Sequence, residues 1–168
     1  QAGMSDLEDY VIGANSNMAY FVYADPNRMT RAVATYDVAS GSIIYGMCQN
    51  TQFQRFDTDP QIVSQNPQTK GRLQLNNKVV LMFGGPAPHW GVKYLEDNRL
   101  TPVYFQSDGT NTKFTETATN IDKVSRVISS IDFEHEDYFV IMTLMDEYGN
   151  HVLINYGIEW KGTWEAGI

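Results

Sequence analysis

Val79-Val80-Leu81-Met82-Phe83-Gly84-Gly85-Pro86 is an apolar run that stops abruptly at Gly-Gly-Pro. Five consecutive apolar residues predict a strand buried on both faces, because a strand with one wet face alternates instead. The two glycines then permit a tight turn, and Pro86 suits the first turn of a following helix. Together they describe the β-to-α corner of an α/β layered domain, a place where ligands and active sites commonly sit.

On the C-terminal side of that corner, residues 87–97 predict a helix carrying Trp90, Tyr94 and Leu95. Thr101 to Phe105 reads as a strand closed by a turn at Ser107-Asp108-Gly109. Ile121, Val124, Val127, Ile128 and Ile131 recur at helical spacing behind a Thr119 or Asn120 cap, which predicts a second helix. Tyr138–Met145 and Val152–Gly157 form a hairpin around Glu147-Tyr148-Gly149-Asn150. Residues 79–168 are therefore expected to run β-α-β-α-β-β.

On the N-terminal side, residues 49–78 are rich in Gln, Asn and Asp and are broken by Pro60 and Pro67. They predict a long surface loop with at most one short element near Ile62-Val63. Arg31–Asp37 and Ser42–Cys48 read as two strands around Ala39-Ser40-Gly41. Met18–Tyr23 reads as a strand closed by Asp25-Pro26-Asn27, so residues 18–48 are expected to form a β-hairpin layer. Residues 1–17 are polar and predict a loosely held or exchanged segment. The expected fold is α/β (α+β): a mixed β-sheet with two main helices in the C-terminal two-thirds, packed with that hairpin layer, in one domain over 1–168.

The 168 residues suffice for one core without staples. Net charge is −8 and no Lys/Arg cluster occurs, which disfavours nucleic acid and anionic membrane surfaces as partners. No stretch approaches the roughly 18–20 apolar residues of a membrane-spanning helix. Cys48 is the single cysteine, so an internal disulfide or a thiolate metal site is excluded; it is expected to be a buried small hydrophobe or, alternatively, an intermolecular crosslink. The chain opens on Gln1, as a processed product would, and carries no Asn-x-Ser/Thr sequon.

Few residues carry chemistry. The Gly84-Gly85-Pro86 corner lacks the third glycine of a dinucleotide fingerprint and the Lys-Ser/Thr of a P-loop. Pro86 and Pro88 also remove two backbone donors that an anion cradle would use. His89, His135 and His151 show no metal-ligand spacing, and no nucleophile elbow is present. In Asp132-Phe133-Glu134-His135-Glu136-Asp137, the carboxylates Asp132, Glu134, Glu136 and Asp137 are the candidate ligands for a divalent cation of the calcium kind. The competing account is a solvated acidic loop, because neighbouring residues of an extended segment point opposite ways. Asp57-Thr58-Asp59 is a weaker version of the same pattern. Trp160 and Trp164 suggest an aromatic patch for a carbohydrate or partner, or else a cap over the sheet end. Met18, Tyr20, Phe21 and Tyr23 lie on either a core strand or an edge strand offered to a neighbour.

Asn77 through Pro86 resembles a segment of archaeal S-layer and related secreted surface proteins, in which an apolar strand runs into Gly-Gly-Pro. Tyr94-Leu95-Glu96 followed by Thr101-Pro102-Val103-Tyr104-Phe105 looks like the helix and strand that come next in them. Tyr156-Gly157-Ile158-Glu159-Trp160-Lys161-Gly162-Thr163 is similar to their closing aromatic-Gly corner. The likeness spans roughly residues 55–168. It implies a non-enzymatic, extracellular structural subunit of an archaeal cell-envelope layer, sheath or filament, freed of a signal peptide. Its partners would be copies of itself, with other envelope proteins or glycans as further ones. The alternative is a secreted small-ligand or carbohydrate-binding module using the Gly84-Gly85-Pro86 corner or Trp160 and Trp164.

Overall fold

A computed structural model of the chain describes residues 18–28, 31–48, 52–107, 111–116, 123–129, 137–158 and 163. Strand β1 (Ala19–Tyr23) leads through a short 3-10 turn, Pro26–Arg28, to helix α1 (Arg31–Met47) and strand β2 (Gln52–Phe56). Strand β3 (Val79–Phe83) is followed by helix α2 (Trp90–Asp97) and strand β4 (Val103–Ser107). Then come β5 (Asn111–Glu116), β6 (Lys123–Ser129), β7 (Phe139–Met145) and β8 (His151–Gly157). The main sheet has the order β2-β1-β3-β8-β7; β2, β1, β3 and β8 are parallel and β7 runs antiparallel on β8. A second, antiparallel sheet is ordered β4-β5-β6.

The mixed α/β class is as expected, and β3 is buried along its whole length. The reason is a cover on each face. Val79, Leu81 and Phe83 join Ala19, Phe21, Tyr23 and Leu153 beneath α1, with Ile44, Tyr45 and Cys48 packed against them. Val80 and Met82 join Val22, Val152, Ile154 and Tyr156 on the other face, against Val92 and Leu95 of α2 and Phe114 of the small sheet. Each side of the strand meets apolar atoms, so no position favours a polar residue.

Four local expectations are corrected. Within the expected hairpin layer, Met18–Tyr23 holds as β1, but the strands read over Arg31–Asp37 and Ser42–Cys48 are replaced by α1. Among its described sheet-facing positions Asp37, Ser40, Gly41 and Ile44, at helical spacing, only Ile44 is large and apolar, so the apolar periodicity that announces a helix is weak. The helix expected around Val124–Ile128 is strand β6, because it pairs with β5 and tertiary pairing overrides an ambiguous period. Among the described residues, the unit after residue 79 therefore runs β-α-β-β-β-β-β, with one helix where two were expected.

The Gln-rich stretch after α1 contains β2. Beyond it, Ile62, Val63 and Leu73 are buried in a folded excursion tied by Ser64 N–H to Arg72 O at 2.8 Å and Gln74 N–H to Ile62 O at 2.9 Å. Finally, β1 lies inside the sheet, with β2 on one side and β3 on the other, and is therefore no edge. The β7–β8 hairpin is as expected, its turn stapled by Asp146, whose Oδ1 accepts from Tyr148 N–H at 2.9 Å and Asn150 N–H at 2.8 Å.

Candidate functional site

From β1 the chain departs one way to β2 and the later chain the other way through β3, so the carboxyl ends of β1 and β3 flank a topological switch point. The residues gathered there come from four segments. Asp57 follows β2 and has no solvent exposure. Its Oδ1 accepts from Asp25 N–H at 3.0 Å, and its Oδ2 accepts from Trp90 N–H, the first amide of α2, at 2.8 Å. Arg28 brings Nη2 to 2.5 Å from both oxygens. A carboxylate at a helix N-terminus also complements the helix dipole. The Trp90 ring is held between two cations, the Arg28 guanidinium at 3.7 Å and the Lys70 ammonium at 3.5 Å from its centroid.

His89 caps α2 in the place usually taken by Ser or Asp. Its Nδ1 accepts from Gly91 N–H at 3.1 Å and Val92 N–H at 3.3 Å, so Nδ1 carries no proton. Nε2 faces the Val22 carbonyl at 3.0 Å and, since a carbonyl only accepts, must donate. Both nitrogens are thus occupied and the ring is neutral; its complete burial pushes the imidazole pKa down, against the pull of Asp57. Neither Asp57 nor His89 has a lone pair or proton left for a substrate. The cluster is a clamp joining β1, β2 and α2 rather than an acid–base pair.

A second group sits under α1. Asp37 is 3% exposed, and its Oδ2 has no hydrogen-bond partner among the described residues; the same holds for the Tyr23 hydroxyl. Burial alone pushes the Asp37 carboxyl up to about 7, and burial followed by the nearby Tyr45 raises the Tyr23 hydroxyl above the usual tyrosine range.

The third feature is an open cavity of about 310 Å³ beside Pro86 and Ala87, bounded by Lys93, Glu96, Arg99 and Tyr104. Glu96 is buried at its base, its Oε1 accepting from the Tyr156 hydroxyl at 2.5 Å and its Oε2 from Phe105 N–H at 2.9 Å. Burial outweighs those two bonds and pushes its carboxyl up to about 7. The Arg99 guanidinium lies 3.6 Å over the Tyr104 ring and closes that wall.

The fourth feature is on the outermost strand. Ile141 and Thr143 pair with Asn155 and Leu153, which places the row Phe139, Ile141, Thr143 and Met145 on the face that α1 covers further along the sheet. Phe139, Ile141 and Met145 remain 48%, 52% and 64% exposed.

Of the residues singled out in the sequence, Phe21 and Tyr23 are core side chains under α1, Tyr20 is half-buried against Phe53, and only Met18 is exposed. An assembly role for Phe21 and Tyr23 is thereby corrected: they are spent on the core of a central strand. Asp137 is half-buried and its Oδ1 accepts from Tyr138 N–H at 2.7 Å. Asp132, Glu134, Glu136, Trp160 and Trp164, with residues 1–17, lie outside the described residues. Among the described residues no three His, Cys, Asp or Glu side chains are grouped to hold a metal ion, and no helix is long and apolar enough to cross a membrane. Cys48 is half-buried just past the end of α1, not inside a strand. Asp57, Arg28, Glu96 and Asp37 were not legible as site residues; only the Asp57-Thr58-Asp59 pattern pointed to one of them, for a different reason.

No family model, curated protein or solved structure matches the chain.

Proposed function

We propose that this chain is a secreted structural subunit that assembles with copies of itself into a cell-surface layer, sheath or filament, as the resemblance to archaeal S-layer proteins implies. The observation that carries the reading is the outer strand β7. Among the described residues it is a terminal strand of the main sheet, and it presents three large apolar side chains, Phe139, Ile141 and Met145, at about half exposure or more. Soluble monomers blunt such strands with charge or proline, and β7 contains neither. The opposite terminal strand, β2, carries Phe56 at 43% exposure. Two unlike edges favour a β7-to-β2 contact between copies, and a head-to-tail contact of that kind propagates instead of closing.

Burying each large side chain of the β7 row would contribute roughly 1.5–3 kcal/mol, set against the entropy lost on association. The net charge of −8 opposes assembly, so salt or divalent cations should promote it. Negative-stain microscopy paired with mass in solution tests the reading, using the wild-type chain and Ile141→Lys. Tubes, sheets or filaments lost in the folded variant are expected. A monodisperse wild-type particle of 19.0 kDa at all salt concentrations would sink it.

A second reading, small-ligand binding beside the Gly84-Gly85-Pro86 corner, is favoured by the cavity against Pro86. Thermal-shift titration with monosaccharides and amino acids checks it. A saturable stabilisation lost in Arg99→Ala supports that reading, and no shift with any of them removes it.

A further inference from the structure

Among the described residues, helix α1 brings few large apolar side chains to the sheet. Across the interface, Gly41 lets the helix approach closely: a Cβ there would lie 2.5 Å from the Tyr23 hydroxyl and 3.0 Å from the Phe83 ring. Ile44, Tyr45 and Cys48 supply the partly buried apolar contacts, with Tyr45 edge-on to Phe21 at 4.9 Å. Ser40 donates to the Thr163 carbonyl at 2.8 Å. The carboxyl that α1 buries on this face is Asp37, 3% exposed, which lies against Gly84 at the end of β3. A Cβ on Gly84 would come within 2.6 Å of Asp37 Oδ2.

That backbone cannot satisfy the carboxylate. The Gly84 amide already donates to the Asn155 carbonyl at 3.1 Å. Nor do the described residues place a cation beside it. Among the described residues, the elements packed most closely on α1 are β1, β3 and the 3-10 turn, with Thr163 meeting it through Ser40. From β1 the titratable group is Tyr23, whose hydroxyl also has no hydrogen-bond partner among the described residues. From β3 only Val79, Leu81 and Phe83 face the helix. From the 3-10 turn the charged group is Arg28, which is engaged with Asp57. On α1 itself the other titratable side chains among the described ones are Tyr36 and Tyr45. An ionised Asp37 in this position would be a buried charge with no counterion among the described residues, whereas a protonated one is a small polar group that this interface accommodates.

We propose that Asp37 is a proton latch for α1: protonated, it stays seated against Gly84 and the helix stays docked; ionised, it moves to water and takes the helix off the sheet. The proposal does not depend on self-assembly. The carboxyl's position at about 7 fixes the window. Docking is fully stabilised below the ordinary carboxylate range near 4, is weakened steadily as pH rises from there to about 7, and changes no further above it.

Hydrogen exchange of the wild-type chain between pH 4 and 8, corrected for intrinsic rates, tests this. Amides of α1 should be less protected than those of β3 and β8 at every pH, and α1 opening should rise about tenfold per pH unit up to about 7, then level. In Asp37→Asn the α1 profile should be flat, while Tyr23→Phe should keep the wild-type slope. The proposal is overturned if α1 exchanges only together with the strands, if its opening is already flat from pH 4 to 7 in the wild type, or if Asp37→Asn keeps the slope. Should Asp37→Asn fail to fold, the wild-type profile alone decides.

Discussion

Arg28 Nη2 lies 2.5 Å from both carboxylate oxygens of Asp57, and the Asp57 side chain has no solvent exposure. The pair joins the turn after β1 to the loop after β2, and through Trp90 N–H it reaches the start of α2. Every acceptor on the carboxylate is used, which is the condition under which a buried charge is tolerated.

The costs of removing the two partners should therefore not add. Asp57→Ala is expected to destabilise the fold by about 3–5 kcal/mol, because it leaves the Asp25 and Trp90 amides and the Arg28 guanidinium unpaired. In a chain of this length that corresponds to a fall in Tm of roughly 10 °C. Arg28→Ala/Asp57→Ala should lose clearly less than the sum of the single changes. Calorimetry on the three variants gives the comparison, and strict additivity would show that the pair is not coupled.

His89 should behave as a cap and not as a titrating group. His89→Ala removes the acceptor for Gly91 and Val92 and the donor to Val22, with an expected cost of about 1–2 kcal/mol for the cap alone. His89→Asn should recover part of that cost, since a short amide oxygen also caps. Urea unfolding of both variants checks the order. An Asn variant no better than Ala would mean that the Val22 bond, and not the cap, holds the site.

What could be read from the sequence and what could not divide along a physical line. The β3 run and the β7–β8 hairpin were legible because burial on two faces and a turn-forming Asp146–Asn150 segment write themselves locally. The helix α1 was not, because its buried stripe is Asp37, Ser40 and Gly41, where close approach to Tyr23 and Phe83 replaces apolar side chains. Strand β6 was misread because Val124, Val127 and Ile128 suit either period, and only pairing with β5 decides between them. The site residues were illegible for a third reason: Arg28 and Asp57 are 29 residues apart, and nothing local to either predicts the pairing.

Glu96 should make stability pH-dependent. Burial raises its carboxyl from the ordinary 4.5 to about 7, so the folded chain holds a proton that the unfolded chain releases. Its contribution is complete below about 4.5 and is lost as pH climbs through about 7, at a limit of about 1.4 kcal/mol per pH unit. Glu96→Gln keeps the shape and removes the proton. The wild type should accordingly lose stability relative to Glu96→Gln between pH 4.5 and 7. Urea midpoints at several pH values measure the difference; parallel curves for the two proteins would exclude Glu96 as the cause.

Gly84 meets two separate demands. Its φ of +111° is a conformation that L side chains rarely adopt, and a Cβ there would press into the Asp37 carboxyl. Gly84→Ala should therefore cost about 1–3 kcal/mol from backbone strain, with the contact against Asp37 adding to it. Pairing it with Asp37→Ala separates the two. The double variant should recover the contact but not the strain, so Gly84→Ala should cost less in the Asp37→Ala background than in the wild type. Denaturation midpoints of the four proteins supply the cycle. If Gly84→Ala costs the same in both backgrounds, the carboxyl is not held against the corner, and the proton latch loses the contact it is built on.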